Sequence, residues 1–260
     1  TTARAILRAL EPTSGSVLFR TREGIVDMAR LGAADLKKAR ADMQMIFQDP
    51  YSSLNSRLPI MDIIAEPLKS HGYPKAEREE RVKELLELVG LRAEYARRYP
   101  HSFSGGQRQR IGVARALALN PALIVADEPV SVQAQVLNLL LDLQEQFGLS
   151  YVFIGHDLSV VRYICDQVAV MYLGKIVELA DVDALYEDPR HPYTSTLLLA
   201  VPDANPHAPW RQDTVKGEVT GDEREIVGCS FAPRCRYAQD ICREKTPELQ
   251  NVNADSTHLS

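Results

Sequence analysis

Five places in this 260-residue sequence hold side chains whose types and spacing suit chemistry. The apolar run Leu123-Ile124-Val125-Ala126 delivers two adjacent carboxylates, Asp127 and Glu128, to its end. The first suits Mg2+, which favours one or two carboxylates together with phosphate oxygens, and the second can act as general base toward a water. Two acids after a strand are, taken alone, also an ordinary loop start. Phe103-Ser104-Gly105-Gly106-Gln107 runs into Arg108-Gln109-Arg110 and a helical stretch. A Ser-Gly-Gly turn at a helix start offers unpaired backbone N–H groups, a hydroxyl and the positive end of a helix dipole, which together bind phosphate. The same residues also suffice for a plain helix cap. Gln48 follows the apolar stretch Met43–Phe47, and His156 follows Tyr151–Ile154. The histidine can meet a phosphate oxygen or serve structure alone. What favours chemistry is order, because each of these groups stands at the expected end of its element.

The fifth place is Gly228-Cys229-Ser230-Phe231-Ala232-Pro233-Arg234-Cys235 with Cys242 beyond it. Spacings of five and six intervening residues put three thiolates in one Pro-bearing loop, unlike the paired C-x-x-C of common zinc modules. Soft thiolates suit an iron–sulfur cluster, Zn2+ or another metal, and unligated thiols are the third reading. A [4Fe–4S] cluster takes four thiolates and only three are here. Cys165 falls on a predicted helix and reads as a small hydrophobe in the core.

The elements that must carry these groups follow from periodicity. Helices are expected over Thr1–Leu10, Met61–Lys69, Ala76–Val89, Gly105–Leu119, Val132–Phe147 and Leu158–Ile164. Strands are expected over Ser16–Arg20, Met43–Phe47, Ala122–Ala126, Tyr151–Ile154, Gln167–Tyr172 and Lys175–Leu179. Short apolar strands alternating with helices imply an α/β fold, a parallel sheet with helices on both faces. In such sheets ligands bind beyond the carboxyl ends of the strands, where Gln48, Asp127, Glu128 and His156 would lie. Past Asp181 the texture turns Pro-rich and polar, with Pro189, Pro192, Pro202, Pro206 and Pro209, which marks an appended module.

Composition narrows the class. Hydrophobic residues are 45% and charged residues 25%, as in an ordinary soluble globular protein. Thirty Lys and Arg against 35 Asp and Glu leave a net charge of −5, so no basic field draws the chain to nucleic acid. No apolar run is long enough to cross a bilayer, and Thr1–Leu10 shows no secretory pattern, so a cytoplasmic location is expected. Four cysteines in a reducing compartment read as metal-binding or redox-active rather than as a disulfide scaffold.

Taken together these motifs resemble the ATP-binding cassette ATPases, over roughly the whole chain. Gln48 in Met45-Ile46-Phe47-Gln48-Asp49 looks like the Q-loop, Ser104–Gln107 the signature motif, Leu123–Glu128 the Walker B strand and His156 the switch histidine. Asp49-Pro50-Tyr51-Ser52-Ser53-Leu54-Asn55, Asp62-Ile63-Ile64-Ala65-Glu66-Pro67-Leu68 and His191-Pro192-Tyr193-Thr194 are further similar to the ATPase subunits of oligopeptide and dipeptide importers, the F-type subunit above the D-type. The resemblance implies a RecA-like parallel-sheet nucleotide-binding core with an inserted helical subdomain and a C-terminal cysteine-containing extension. The core would span 1–50 and 105–180, the helical and signature subdomain 51–104, and the extension 181–260.

By the same resemblance the ligands are ATP and Mg2+. Asp127 and Gln48 would hold the metal, Glu128 would polarise the attacking water, and His156 would contact the γ-phosphate. Ser104, Gly105, Gly106 and Gln107 would bind nucleotide held mainly by a second, D-type ATPase subunit, while Thr1 and Thr2 would join the nucleotide site of this chain. Cys229, Cys235 and Cys242 are similar to a cysteine motif that holds an iron–sulfur cluster in some peptide-importer ATPases, with a fourth ligand expected past Ser260. The implied function is ATP hydrolysis driving uptake of peptides or related small solutes through two permeases fed by an extracytoplasmic solute-binding protein. The protein would then lie peripherally on the cytoplasmic face of the inner membrane, without nucleic acid. A cassette ATPase working on nucleic acid or ribosomes, and a catalytically silent partner, are the competing readings. Two departures stand out. The Gly-rich phosphate-binding loop with its lysine is expected just before Thr1, and an Ala-Leu-Asp loop is expected where Ser131 meets Val132. Both are expected to be mobile pieces of the protein missing from this sequence only.

Overall fold

The computed structural model describes residues 1–49, 53–128, 134–201, 227–251 and 258–260. The expected loop at Ser131–Val132 therefore lies outside the described residues. Two compact units divide the chain, Thr1–His156 and Asp157–Ser260.

The first unit is built on three parallel strands, β3 (Met43–Ile46), β4 (Leu123–Asp127) and β5 (Ser150–Ile154), in the order β3-β4-β5. Met43 pairs with Leu123 and Leu123 with Ser150, so the three strands start and end nearly level. Ile124, Val125 and Ala126 of the central strand are fully buried, which is why that strand reads as an unbroken apolar run instead of an alternation. Helix α1 (Thr2–Ile6) packs its Ala3 in one core with Met43 of β3 and Val125 of β4. It ends four residues before the expected Leu10 because Arg8 takes φ +51 and turns the chain. Arg40 fixes that early stop, since its Nε donates to Leu7 O at 3.0 Å and its Nη2 to Arg8 O at 2.7 Å, satisfying carbonyls a longer helix would have used. The expected strand Ser16–Arg20 is half of an antiparallel hairpin, β1 (Leu18–Thr21) with β2 (Gly24–Asp27), and α2 (Ala33–Ala39) leads on to β3.

Between β3 and β4 lie helices α3 (Ile60–Ser70), α4 (Lys75–Leu88) and α5 (Gly105–Ala116), with 3-10 turns at Ala93–Arg97 and Pro100–Ser102. Ile60, Ile63, Ile64 and Leu68 line one face of α3, and Val82, Leu85 and Leu86 line one face of α4. Each such buried aliphatic chain contributes roughly 1.5–3 kcal/mol, which makes this insert a core in its own right. Helix α6 (Ala134–Phe147) connects β4 to β5, the crossover that parallel pairing demands.

In the second unit α7 (Leu158–Ile164) precedes β6 (Gln167–Tyr172), which pairs antiparallel with β7 (Lys175–Asp181). The expectation that Gln167–Tyr172 extends the parallel sheet is thus corrected. The reason is the two-residue turn Leu173-Gly174, whose φ values of +46 and +80 fold the strand directly back on itself. Helices α8 (Val182–Glu187), α9 (Pro192–Leu199) and α10 (Ile241–Glu244) follow, and Leu259 bridges back to Leu179 of β7. Phe231 is buried against Tyr172, Tyr193 and His191, with ring centroids 5.2, 5.5 and 5.6 Å away, and pins the cysteine loop to the hairpin.

Candidate active site

Level parallel strands send their next residues out along one edge. Gln48, Glu128 and His156 each follow their strand by one or two positions, and the register brings the three together. Gln48 Nε2 donates to Glu128 Oε2 at 2.5 Å, and His156 Nδ1 lies 3.9 Å from Glu128 Oε1. Glu128 is the centre of the group. Its N–H donates to Ile154 O at 2.7 Å, adding one rung to the β4–β5 ladder. Its φ is +40, a left-handed conformation that costs an L-residue roughly 1–2 kcal/mol and turns the chain sharply as it leaves the sheet.

The group is open. The Glu128 side chain is 36% exposed and that of His156 87%. Asp127, the last residue of β4, is half-buried beside it. A carboxylate with one oxygen held by an amide and the other facing an exposed imidazole keeps spare acceptor capacity, which suits it to orient a water or meet a metal-bound oxygen.

Ser104 caps α5. Its hydroxyl oxygen accepts from Gln107 N at 3.4 Å, while Gln107 Oε1 accepts from Ser104 N at 3.1 Å, a reciprocal capping box. Phe103, buried and edge-on to Tyr95 at 5.6 Å, anchors the turn. The cap and a phosphate site are compatible, because the Ser104 O–H remains a donor and Gly105 and Gly106 present first-turn N–H groups. The box is self-contained: Ser104 and Gln107 bond each other, not the Gln48–Glu128–His156 group. Thr1 and Thr2 stand exposed at the start of α1.

The cysteines fare differently. Cys229 N donates to Cys242 O at 2.7 Å and Cys235 N to Phe231 O at 2.9 Å, so the loop closes through its backbone. All three thiols are free and half-buried. Among the described residues no group of three His, Cys, Asp or Glu is placed to hold a metal ion. The expected cluster, or Zn2+ in its place, therefore finds no three-thiolate ligand set here; main-chain bonding, not ligand geometry, draws Cys229 to Cys242. Cys165 ends α7 half-buried, and burial with Asp166 beside it pushes its thiol up.

Comparison with known proteins places this geometry. The family described as ABC transporter matches residues 1–131. The oligopeptide transport ATP-binding protein AppF of Bacillus subtilis (strain 168) is 49% identical over 261 residues, 97% of this chain and 78% of AppF. The chain belongs to the ABC transporter ATPases. The family region described as oligopeptide/dipeptide transporter, C-terminal region, matches residues 177–242 of this ABC ATPase and so takes in all three clustered cysteines. The di/tripeptide transport ATP-binding protein DppF of Pseudomonas aeruginosa (strain UCBPP-PA14) is 47% identical, covering 96% of this chain and 78% of DppF. A solved structure of the ATP-binding cassette MJ0796, a dimer in a post-hydrolysis state with ADP and Pi, superposes with a TM-score of 0.59 at 27% identity, over 70% of this chain and 79% of that one. The α/β nucleotide-binding core expected from the sequence is the fold of this ABC ATPase. Gln48, Ser104–Gln107, Asp127 and Glu128 fall inside the range 1–131, whereas His156 reaches the group only through β5.

Two residues escaped the reading of the sequence. Arg115 interrupts the buried run Val113, Ala114, Ala116 and Leu117, and Glu178 takes a fully buried place on β7. A charge set within an apolar periodicity is the signal that marks both.

Proposed function

We propose that this ABC ATPase is the ATP-binding and hydrolysing subunit of an importer for peptides or related small solutes. The observation that carries the chemistry is the Glu128 carboxylate held between Gln48 and His156 at the carboxyl edge of the sheet. The importer type is supported by the peptide-transporter C-terminal region and by relatives named for oligopeptide and di/tripeptide transport. The same findings disfavour action on nucleic acid or ribosomes.

In this reading Glu128 polarises the attacking water and His156 meets the γ-phosphate. Asp127 and Gln48 fit an Mg2+ ion, one half-buried carboxylate and one amide oxygen beside an open acceptor. When bound, that ion neutralises charge on the transferred phosphoryl group. Thr1 and Thr2 contribute to the same nucleotide site. Ser104, Gly105, Gly106 and Gln107 serve the nucleotide of a second ATPase subunit, of D type, so hydrolysis needs two subunits face to face. Two permeases and an extracytoplasmic solute-binding protein complete the machine. Attachment to the cytoplasmic face then runs through the permeases; no helix among the described residues is long and apolar enough to cross a membrane. The cysteine loop enters no step.

The test is Glu128→Gln in the assembled transporter. ATP binding should persist while hydrolysis and uptake are lost, and hydrolysis at the unmutated rate would overturn the assignment.

A further inference from the structure

Helix α5 begins at the Ser104 capping box and runs for twelve residues, about 18 Å at 1.5 Å per residue. Near its far end Arg115 leaves the helix and reaches the segment that bears Gln48. Arg115 Nη1 donates to Ser53 O at 2.7 Å, and its guanidinium carbon lies 5.3 Å from the centroid of the Phe47 ring. Ser53 N in turn donates to Asp49 O at 3.0 Å. One guanidinium therefore contacts both Phe47, next to Gln48, and Ser53, whose N–H is bonded to Asp49. Glu66 of α3 is close enough to act on the same charge.

The choice of residue is informative. Val113, Ala114, Ala116 and Leu117 are all at most 3% exposed, so packing alone would be served by an aliphatic side chain. A guanidinium in such a place must be compensated by well-placed acceptors. Burial lowers the Arg115 pKa and Glu66 raises it again, in keeping with a half-buried cation that has partners. The partners are the Ser53 carbonyl and the Phe47 ring, which stands next to the residue that touches Glu128.

We infer that Arg115 is a positioning residue, which holds Phe47 and Ser53 so that Gln48 stays in hydrogen-bond reach of Glu128 and ties that reach to the helix carrying the signature turn. The inference rests on the reading of Gln48 and Glu128 as parts of the hydrolytic site. Without the guanidinium Ser53 O loses its donor and the Phe47 ring its cation, and the Gln48 amide is no longer set against the carboxylate.

A double-mutant cycle on the full-length chain in the assembled transporter tests it, with kcat and KM for ATP measured for Arg115→Ala, Gln48→Ala and the pair. Arg115→Ala should lower kcat by about tenfold to a hundredfold, the cost of small misplacements in an active site, with KM for ATP little changed. Adding Arg115→Ala to Gln48→Ala should lower kcat no further, because the arginine acts through the amide. Independent, multiplicative losses would overturn the inference, since a merely structural arginine lowers both backgrounds alike. Arg115→Lys keeps a cation and a donor but not the planar fork, so it should recover part of kcat, and it carries the cycle if Arg115→Ala melts. Unchanged kcat in Gln48→Ala would overturn the reading of the site itself. A loss in Gln48→Ala with full activity in Arg115→Ala would overturn only the role of Arg115.

Discussion

The molecule contains the same pair of residue types twice, a glutamate facing a histidine, in opposite surroundings. At the sheet edge Glu128 and His156 are 3.9 Å apart and open to solvent. In the second unit Glu178 and His258 are 2.6 Å apart, 0% and 4% exposed. Glu178 also accepts from Arg190 N at 2.7 Å and His191 N at 2.9 Å, so its oxygens are spent. Burial pushes the Glu178 carboxyl up, and hydrogen bonds, among them those from the Arg190 amide, His258 and the His191 amide, outweigh that and hold it below the usual range. The reciprocal bonds of Leu179 and Leu259, 2.9 and 2.7 Å, then seal the last residues onto β7. A satisfied, buried carboxylate clamps structure, whereas an open one with spare acceptor capacity is available for chemistry. Proximity of Glu to His by itself distinguishes nothing.

The contrast is sharpest in paired substitutions. Glu128→Gln should lower ATP hydrolysis by about a hundredfold to ten-thousandfold, the range for a general base, and leave the thermal midpoint in place, as read by phosphate release and calorimetry. Glu178→Ala should do the reverse, leaving a buried histidine and two amides without their acceptor. A loss of about 3–5 kcal/mol in urea unfolding of the second unit is expected, and a native-like transition would break the comparison. Ser104→Ala removes a cap and should cost about 1 kcal/mol of stability, with Ser104→Gly costing only a few tenths. A fall in hydrolysis larger than that difference, measured at saturating ATP, would show that the hydroxyl also serves nucleotide.

The smallest effect concerns pH. Burial lowers the His191 pKa below its ordinary 6.5, with Glu178 pulling it back up. The unfolded chain therefore takes up a proton first, and stability of the second unit should fall as pH drops through the ordinary histidine range. The imidazole has a further reason to stay neutral, because its Nδ1 accepts from Tyr193 N at 3.1 Å to cap α9. Glu178, held low, adds a second loss only in acid below the ordinary carboxylate range. Thermal midpoints between pH 8 and 5 should show the first step in the parent and lose it in His191→Asn, about one protonation event wide.

Much of the first unit was legible because its strands announce themselves. Leu123–Asp127 is apolar throughout, and a strand buried on both faces tolerates nothing else. The helix 158–164 and the strand 167–172 begin and end where periodicity puts them. What periodicity could not see was partnership. The helix from Thr1 stops early because a guanidinium 32 positions away takes its carbonyls, and Gln167–Tyr172 leaves the parallel sheet because Leu173-Gly174 turns it back. Glu178 sits in a stretch expected as a strand, and only the chain returning at His258 makes it a buried clamp.

The sequence by itself determined which groups exist and at which end of which element each stands, since strand and helix periods and cap chemistry are local. It also determined the family, through motifs that are contiguous. That Gln48 and Glu128, 80 positions apart, share a hydrogen bond with His156 alongside was decided by the tertiary structure. So was the contact of Arg115 with Phe47 and Ser53, the latter 62 positions away, beside Gln48. The reason is physical: the meeting depends on the register of three parallel strands and on the packing of one helix against the first of them, and both are set by the shared burial of residues far apart in the chain.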